Sequence, residues 1–158
     1  MVGVVMGNRR NWLFMSALDS ISERLSQEGK HIIVNTGEDT SIVDKHVSEL
    51  LMYRIDALLL MAANLSPKLA EQCRAEGIPV IALHQRPPDG KYLASVTANN
   101  REGAQQIAAH LIQQGYRRIG LITGHVDSLT SLERALRQAW RIPRSTSTSP
   151  ARSFVSPV

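Results

Sequence analysis

The stretch VGVVMGNRRNWLFMSALDSISERLSQEGKHIIVN (Val2–Asn35) indicates the fold class of this 158-residue chain. It opens with the continuous apolar run Val2–Met6, which is typical of a strand buried on both faces of a parallel sheet. Apolar residues then recur at helical spacing: Phe14, Ala17, Leu18, Ile21 and Leu25. Gly29 suits the end of that helix, and an apolar run follows it. The stretch therefore predicts one strand–helix–strand unit.

The same alternation of strand and helix continues as far as Thr123. Further strands are predicted at His31–Asn35, Ala57–Met61, Pro79–Leu83, Ala94–Ala98 and Arg118–Thr123. Helical spacing of apolar residues separates most of them, and Ser66 followed by Pro67 is a typical helix start. Gly77 and Gly115 suit the ends of two of these helices. This order predicts an α/β fold, a doubly wound parallel sheet with helices on both faces.

Positive charge is concentrated at the end of the sequence. Five of the 18 Lys and Arg residues lie in residues 134–158, which contain no acid. Residues 1–133 therefore hold 13 bases and 14 acids, and this part of the chain is close to neutral. The high isoelectric point is a property of the tail, so it is weak evidence for a nucleic-acid-binding fold.

The tail also lacks the apolar pattern that precedes it. Residues 141–158 are mostly Ser, Thr, Pro and Arg, which bury too little apolar surface to order a chain. We predict a folded domain over residues 1–136 and a disordered or frameshifted tail over residues 137–158. Composition alone does not separate those two origins of the tail.

Motifs of common enzymes and cofactor sites are missing from the sequence. The loop Gly7–Trp12 has neither the glycines of a dinucleotide site nor the Gly-Lys-Ser/Thr ending of a phosphate loop. The five histidines have no metal-ligand spacing, and the single cysteine, Cys73, cannot form a disulfide within the chain. We expect no enzyme activity, no cofactor and no metal. No apolar run is long enough to span a membrane, which favours a cytoplasmic protein.

The stretch Val96–Gly124 resembles a run in the effector-binding core of the lac repressor/gal repressor (LacI/GalR) family of bacterial transcription regulators. The family pattern is V-x-x-D-N-x-x-G-x-x-x-A-x-x-L-x-x-x-G-H-R-x-I-x-x-I-x-G, in which Asn99 here replaces Asp and Tyr116 replaces His. Other similar stretches are Ile55–Leu60, Ile78–Pro87 and Asp127–Leu136. The resemblance implies the N-terminal lobe of a fold like that of type I periplasmic binding proteins.

The resemblance also implies a function. Family members sense a small-molecule effector, usually a sugar or sugar phosphate, which binds between two lobes of a homodimer subunit. By resemblance, seven residues are expected to line this lobe's half of the cleft: Asn11, Leu13, Phe14, Gln85, Arg86, Asp127 and Arg134. The aromatic ring would stack on the sugar, and the polar groups would hydrogen-bond its hydroxyls.

The sequence departs from the family pattern in two places. The family's N-P-F-F entry to the first helix reads NWLF (Asn11–Phe14), and the glycine–aromatic pair expected after Arg134 is missing. We therefore expect a truncated regulator without the second lobe and without the helix-turn-helix through which the intact protein would contact DNA. A fragment of an exported periplasmic-type sugar-binding protein and a flavodoxin-like enzyme domain stay open as alternatives.

Overall fold

A computed structural model describes residues 1–7, 10–84, 94–123, 129–135 and 155–157. The chain divides into two compact units, residues 1–97 and residues 98–158. Among the described residues, the first unit contains a five-stranded sheet with three helices, and the second contains two helices and a two-stranded sheet.

The first unit alternates strands and helices in the predicted order. Its elements are β1 (Val2–Met6), α1 (Trp12–Gln27), β2 (Ile32–Thr36), α2 (Thr40–Met52), β3 (Ala57–Met61), α3 (Pro67–Ala75), β4 (Val80–Leu83) and β5 (Ala94–Val96). All five strands are parallel and lie in the order β2-β1-β3-β4-β5. The predicted α/β fold class is thereby confirmed.

Successive strand residues point to opposite faces of the sheet, and helices cover both faces. On one face, Val4 and Met6 pack with Phe14 and Leu18 of α1. On the other face, Val5 packs with residues of α2 and α3: Val43, Val47, Leu50, Leu69 and Cys73. Each fully buried side chain of this size stabilises the fold by about 1.5–3 kcal/mol, so these two clusters are the core of the unit.

The helix ends follow the local sequence signals. The Ser66 hydroxyl accepts a hydrogen bond from the Leu69 amide at 3.3 Å, and Pro67 occupies the first turn of α3. Gly29, Gly77 and Gly115 have φ of 68°, 71° and 88°, a left-handed conformation that costs glycine little. The predicted starts and stops at these residues are confirmed.

The second unit differs from the sequence-based expectation. It contains α4 (Asn100–Gln113), β6 (Leu121–Thr123), α5 (Leu129–Ala135) and β7 (Val155–Pro157). The strand predicted at Arg118–Thr123 is present over Leu121–Thr123, but the expectation that it joins the main sheet is wrong, because β6 pairs with β7 in a separate parallel pair. The strand spans three residues and leaves Ile122 82% exposed, so the apolar run does not meet a second buried face.

The predicted disordered or frameshifted tail lies largely outside the described residues. Only the backbone of Val155–Pro157 is described there, and it forms a strand that the sequence had not predicted. The boundary predicted at residue 136 therefore stays a prediction. Within the described part of the chain, no helix is both long enough and apolar enough to cross a membrane.

Candidate functional site

The strands of the main sheet all end at the same edge, which we call the carboxyl edge. Because β1, β2, β3 and β4 are parallel, the residues that follow them lie along this edge: Gly7, Gly37, Ala62 and His84. Open α/β sheets bind their ligands outside the carboxyl ends of the strands. The carboxyl edge is therefore the place to look for a binding site.

Hydrogen bonding continues one residue beyond three of the central strands. The Gly7 amide donates to the Met61 carbonyl at 2.9 Å, and the Ala62 amide donates to the Leu83 carbonyl at 3.4 Å. The His84 amide donates to the Val96 carbonyl at 2.9 Å. Gly7, Ala62 and His84 thus form a regular row at the carboxyl edge.

Two residues of this row have strained backbones. Ala62 and His84 have φ of 51° and 60°, in the left-handed region that costs a non-glycine residue about 1–2 kcal/mol. Such conformations persist where the surrounding structure holds them, and they are concentrated at functional sites. Here they turn the chain out of β3 and out of β4 at the same edge.

Gly7 packs directly on the backbone of this row. A Cβ atom at position 7 would lie 2.0 Å from the Ala62 carbonyl oxygen, which is a backbone atom with little freedom to move. Only glycine fits there. The close approach also leaves the centre of the carboxyl edge without large side chains at positions 7 and 62.

An open cleft of about 430 Å³ lies where β1 and β2 end. Its lining residues are Gly7, Arg10, Thr36, Gly37, Glu38, Asp39 and Ile42. One guanidinium, two carboxylates and one hydroxyl thus surround a small volume. The cleft thus offers both hydrogen-bond donors and hydrogen-bond acceptors, which can recognise a polyhydroxylated molecule.

The first turn of α1 also lies at the carboxyl edge, and Asn11 fixes its start. The Asn11 side-chain oxygen accepts a hydrogen bond from the Leu13 amide at 3.0 Å, so Asn11 is the N-cap of α1. Trp12 and Leu13 follow in the first turn and are 77% and 41% exposed. Local capping therefore places two large apolar side chains at the surface.

Phe14 occupies a different environment from its two neighbours. It is 7% exposed and belongs to the core cluster with Val4, Met6 and Met61. Its ring also contacts the His84 ring, with centroids 5.2 Å apart and planes tilted by 50°. Phe14 is thus a packing residue in this structure, and its predicted contact with an effector stays a prediction.

The second unit contains a polar network built on a buried amide. Asn100, which is 9% exposed, donates to a Glu133 carboxylate oxygen at 2.9 Å. Its side-chain oxygen accepts a hydrogen bond from the Arg134 guanidinium at 3.0 Å. The amide is therefore hydrogen-bonded on both sides, and it ties α5 to the first turn of α4.

A cavity of about 420 Å³ adjoins this network. Its lining residues are Ala98, Asn99, Asn100, Gly103, Ala104, Ile107, Leu121 and Arg134. Asn99 caps α4, since its oxygen accepts from the Glu102 amide at 3.4 Å and its amide donates to the Glu102 carboxylate at 2.6 Å. The three polar side chains of the lining are thus occupied in hydrogen bonds within the unit.

The chemistry of the described residues includes neither an assembled metal site nor a reactive thiol. Within residues 1–7, 10–84, 94–123 and 129–135, no group of three His, Cys, Asp or Glu side chains could hold a metal ion. Burial raises the pKa of the Cys73 thiol, which keeps it protonated at neutral pH. Cys73 is therefore a core residue, in keeping with its place between α3 and the sheet.

Residues 1–143 match the family model of periplasmic binding proteins and the sugar binding domain of the LacI family. This chain belongs to that family. The match covers the first unit and residues 98–143 of the second, and it agrees with the resemblance seen in the sequence.

Curated LacI-type relatives of the chain are named as repressors. The HTH-type transcriptional repressor PurR of Aliivibrio salmonicida is 25% identical over 134 residues, which cover 84% of this chain and 40% of the relative. PurR of Actinobacillus pleuropneumoniae serotype 5b is 24% identical over 134 residues, with the same coverage of 84% and 40%. The chain therefore spans about 40% of the length of these relatives.

Solved structures of regulators share the fold of the chain. Transcription regulator CcpA of Lactococcus lactis has a TM-score of 0.80 at 19% identity, over 98% of this chain and 57% of that one. The dual regulator Cra of Pseudomonas putida, in complex with fructose 1-phosphate, has a TM-score of 0.79 at 20% identity, over 99% and 57%. A CelR–cellobiose complex has a TM-score of 0.72 at 24% identity, over 89% and 44%.

The structure brings together some of the seven residues predicted to contact an effector in this LacI-family chain. Asn11, Leu13 and Phe14 lie together in the first turn of α1 at the carboxyl edge. Arg134 lies in the second unit, hydrogen-bonded to Asn100. The other three predicted residues, Gln85, Arg86 and Asp127, lie outside the described residues.

Sequence reasoning missed two features of this edge. It did not predict the left-handed backbones of Ala62 and His84, because neither residue type signals that conformation. It also did not predict that Thr36, Glu38 and Asp39 share a cleft with Arg10. A loop between a strand and a helix gives no sign of which neighbouring loop it will meet, so this cleft could be found only in the structure.

Proposed function

We propose that this chain is the effector-binding domain, or part of it, of a LacI-type transcription regulator, with a sugar or sugar phosphate as its effector. The observation that carries the proposal is the polar cleft at the carboxyl edge of a parallel sheet, in a chain of the LacI sugar-binding family. The named repressors among its relatives favour a regulator over an exported binding protein.

The cleft offers groups that match sugar hydroxyls. Carboxylates at Glu38 and Asp39 accept hydrogen bonds, and the Arg10 guanidinium donates them. A sugar hydroxyl can do both, so each ring position could engage two groups of the cleft. A sugar phosphate would add charge-assisted hydrogen bonds from arginine, a stronger interaction than a neutral pair.

Regulation would follow from a shift in population. An effector that binds one conformation of the domain more tightly than another moves the equilibrium toward that conformation. In the proposed homodimer this shift changes affinity for DNA, which the intact regulator would contact through a helix-turn-helix. We propose a cytoplasmic, non-enzymatic protein, because its named relatives are transcriptional repressors and its sequence lacks the motifs of the enzymes considered above.

Sugar titrations of the 158-residue chain test the proposal. Cellobiose, xylulose and fructose 1-phosphate, which are bound in solved structures of similar regulators, can be titrated by saturation-transfer NMR and calorimetry. Because the matched part of the curated relatives is 40% of their length, we expect these residues alone to bind weakly. Half of a micromolar binding energy corresponds to about −4 kcal/mol, or a dissociation constant of about 1 mM.

Two variants locate the binding. Arg10→Ala should weaken binding about tenfold, since one charge-assisted hydrogen bond contributes about 1.5 kcal/mol. His31→Ala is the matched control, because His31 is exposed and precedes β2 at the opposite end of the sheet. The expected dissociation constant is about 1 mM. If none of the three compounds binds at a ligand concentration about 20-fold higher than that, the proposed function is contradicted.

A further inference from the structure

The second unit buries few apolar side chains among its described residues. Both core clusters lie in the first unit, and the buried apolar residues described in the second are Ala104 and Ala108. Four of its large apolar side chains are instead 48% exposed or more: Ile107, Tyr116, Ile122 and Leu132. Covering such side chains removes apolar surface from water and is favourable. The described part of this unit therefore has an apolar surface that a partner would stabilise.

The cavity of about 420 Å³ belongs to the same apolar surface. Five of its eight lining residues have no polar side chain, and among these are Ile107 of α4 and Leu121 of β6. A Cβ atom at Gly103, another lining residue, would have nothing within 4 Å. α4 and β6 thus border an open apolar depression rather than a packed core.

β6 pairs with a short strand from the C-terminal end of the chain. Ile122 lies opposite Ser156 in this parallel pairing, which joins three residues of β6 to three of β7. Proline has no N–H, so Pro157 of β7 donates no hydrogen bond to the pair. By contrast, β1 pairs with β2 and with β3 over five residues each. The β6–β7 pairing is therefore held by few hydrogen bonds, and it opens more readily than the main sheet.

The sequence between α5 and β7 is long enough to reach another copy of the chain. α5 ends at Ala135 and β7 begins at Val155, so 19 residues, 136–154, lie between them. Fully extended, a connection of this length spans about 60 Å. A second copy offers the same β6 and the same β7, so an exchanged strand makes the same pairing as before. Exchange therefore costs the chain no strand pairing.

We infer that β7 is exchanged between two copies of this chain, so that β6 of each copy pairs with β7 of the other. Because exchange leaves the number of strand pairs unchanged, the gain comes from the apolar surface that the two second units cover on each other. The partner is a second copy of this chain, since only a partner with its own β7 can exchange it. This contact between copies does not depend on the sugar effector of the proposed function.

Cysteine variants of the full chain test the exchange directly. Ile122 and Ser156 are opposite each other on neighbouring strands, a spacing that suits a disulfide. The one natural cysteine, Cys73, is buried and does not compete. When Ile122→Cys chains are mixed with Ser156→Cys chains and oxidised, we expect a covalent dimer that contains one chain of each kind, identified by its mass. Ser149→Cys in place of Ser156→Cys is the matched control, because residue 149 lies outside β7, and it should give far less of the mixed dimer.

Association of the full chain in solution should also depend on β7. The double variant Val155→Pro/Ser156→Pro removes the remaining N–H donors of the strand, so its dimer dissociation constant should rise about tenfold or more in sedimentation equilibrium. Ser147→Pro/Ser149→Pro makes the same change outside β7. This control should associate as the parent chain does.

The apolar surface should contribute in the same measurement. Ile107→Ser should raise the dimer dissociation constant about tenfold, because one apolar side chain would no longer be covered by the partner. Met52→Ser is the matched control, since Met52 is 75% exposed but lies in the first unit, at the end of α2. It should leave the dissociation constant unchanged.

Three results would overturn the inference. If the mixed chains form no covalent dimer, while a chain with both Ile122→Cys and Ser156→Cys closes its own disulfide, β7 stays within its chain. If the chains associate equally well with and without the proline pair in β7, they meet through another surface. If the full chain sediments as a monomer at the highest concentration that stays soluble, no second copy covers the second unit. The sugar titrations decide the proposed function separately in each case.

Discussion

The absence of a side chain at Gly7 allows two strand ends to pack closely at the carboxyl edge of the sheet. Gly7 lies so close to Ala62 that a Cβ atom would come within 2.0 Å of the Ala62 carbonyl oxygen. Ala62 itself holds a left-handed φ of 51°, so the neighbouring backbone is already strained. The two strand ends therefore constrain each other, and neither can adjust to a larger residue.

Gly7→Ala should destabilise the chain by about 3 kcal/mol, the cost of forcing a side chain into filled space. The clash is with backbone, so side-chain rearrangement cannot relieve it. Urea unfolding measures the change. Gly103→Ala in α4 is the control, because nothing lies within 4 Å of a Cβ there and alanine favours a helix. Equal stability of Gly7→Ala and the parent would contradict the described contact.

Phe14 shows what the sequence could and could not predict at this scale. Its spacing with Leu18 predicts a buried helical face, and the structure confirms that burial. The family resemblance predicts an effector contact for the same residue, and that contact stays a prediction. Helical periodicity reports a face of a helix, but it does not report whether a side chain at the helix end is also open to a ligand.

At the scale of elements, the strands were predictable where apolar runs were unbroken. β1 and β3 have the predicted bounds Val2–Met6 and Ala57–Met61. β4 begins one residue later than predicted, at Val80, and β5 ends two residues earlier, at Val96. The partner of β6 was not predictable, because the tail that supplies β7 has no strand pattern in its sequence.

Comparing the N-caps of α1 and α2 measures how much a side-chain cap hydrogen bond contributes to stability. The Asn11 side chain accepts a hydrogen bond from the Leu13 amide, whereas Asp39 at the start of α2 makes no side-chain cap bond. Asn11→Ala should therefore cost about 1 kcal/mol of unfolding free energy. Asp39→Ala should cost no more than about 0.5 kcal/mol, from its charge near the helix N-terminus. Urea unfolding of both variants checks the difference, and equal losses would contradict the cap at Asn11.

At the scale of the whole molecule, residues 1–97 contain both core clusters. Every residue of the two clusters lies between Met1 and Leu83, and the helices that contribute residues to them are α1, α2 and α3. The described core of this unit is therefore built from its own residues. Small domains of this length bury enough surface to fold alone, although with modest stability.

A fragment of residues 1–97 should therefore fold cooperatively. Circular dichroism should show an α/β spectrum, and urea should unfold it in one transition with an m-value of about 1–2 kcal/mol/M. The full-length chain serves as the comparison. A broad, non-cooperative transition, together with strong binding of the hydrophobic dye ANS, would show that the two described clusters do not suffice as a core.

The strand order β2-β1-β3-β4-β5 has a consequence for how the chain is made. Once β1 and β2 have paired, β3 adds beside β1, β4 beside β3 and β5 beside β4. From β3 onward, each new strand pairs with a strand that has already been synthesised. No later strand of this sheet has to insert between two earlier ones. The sheet can therefore grow during synthesis in the order of translation, with each new strand adding at the edge opposite β2.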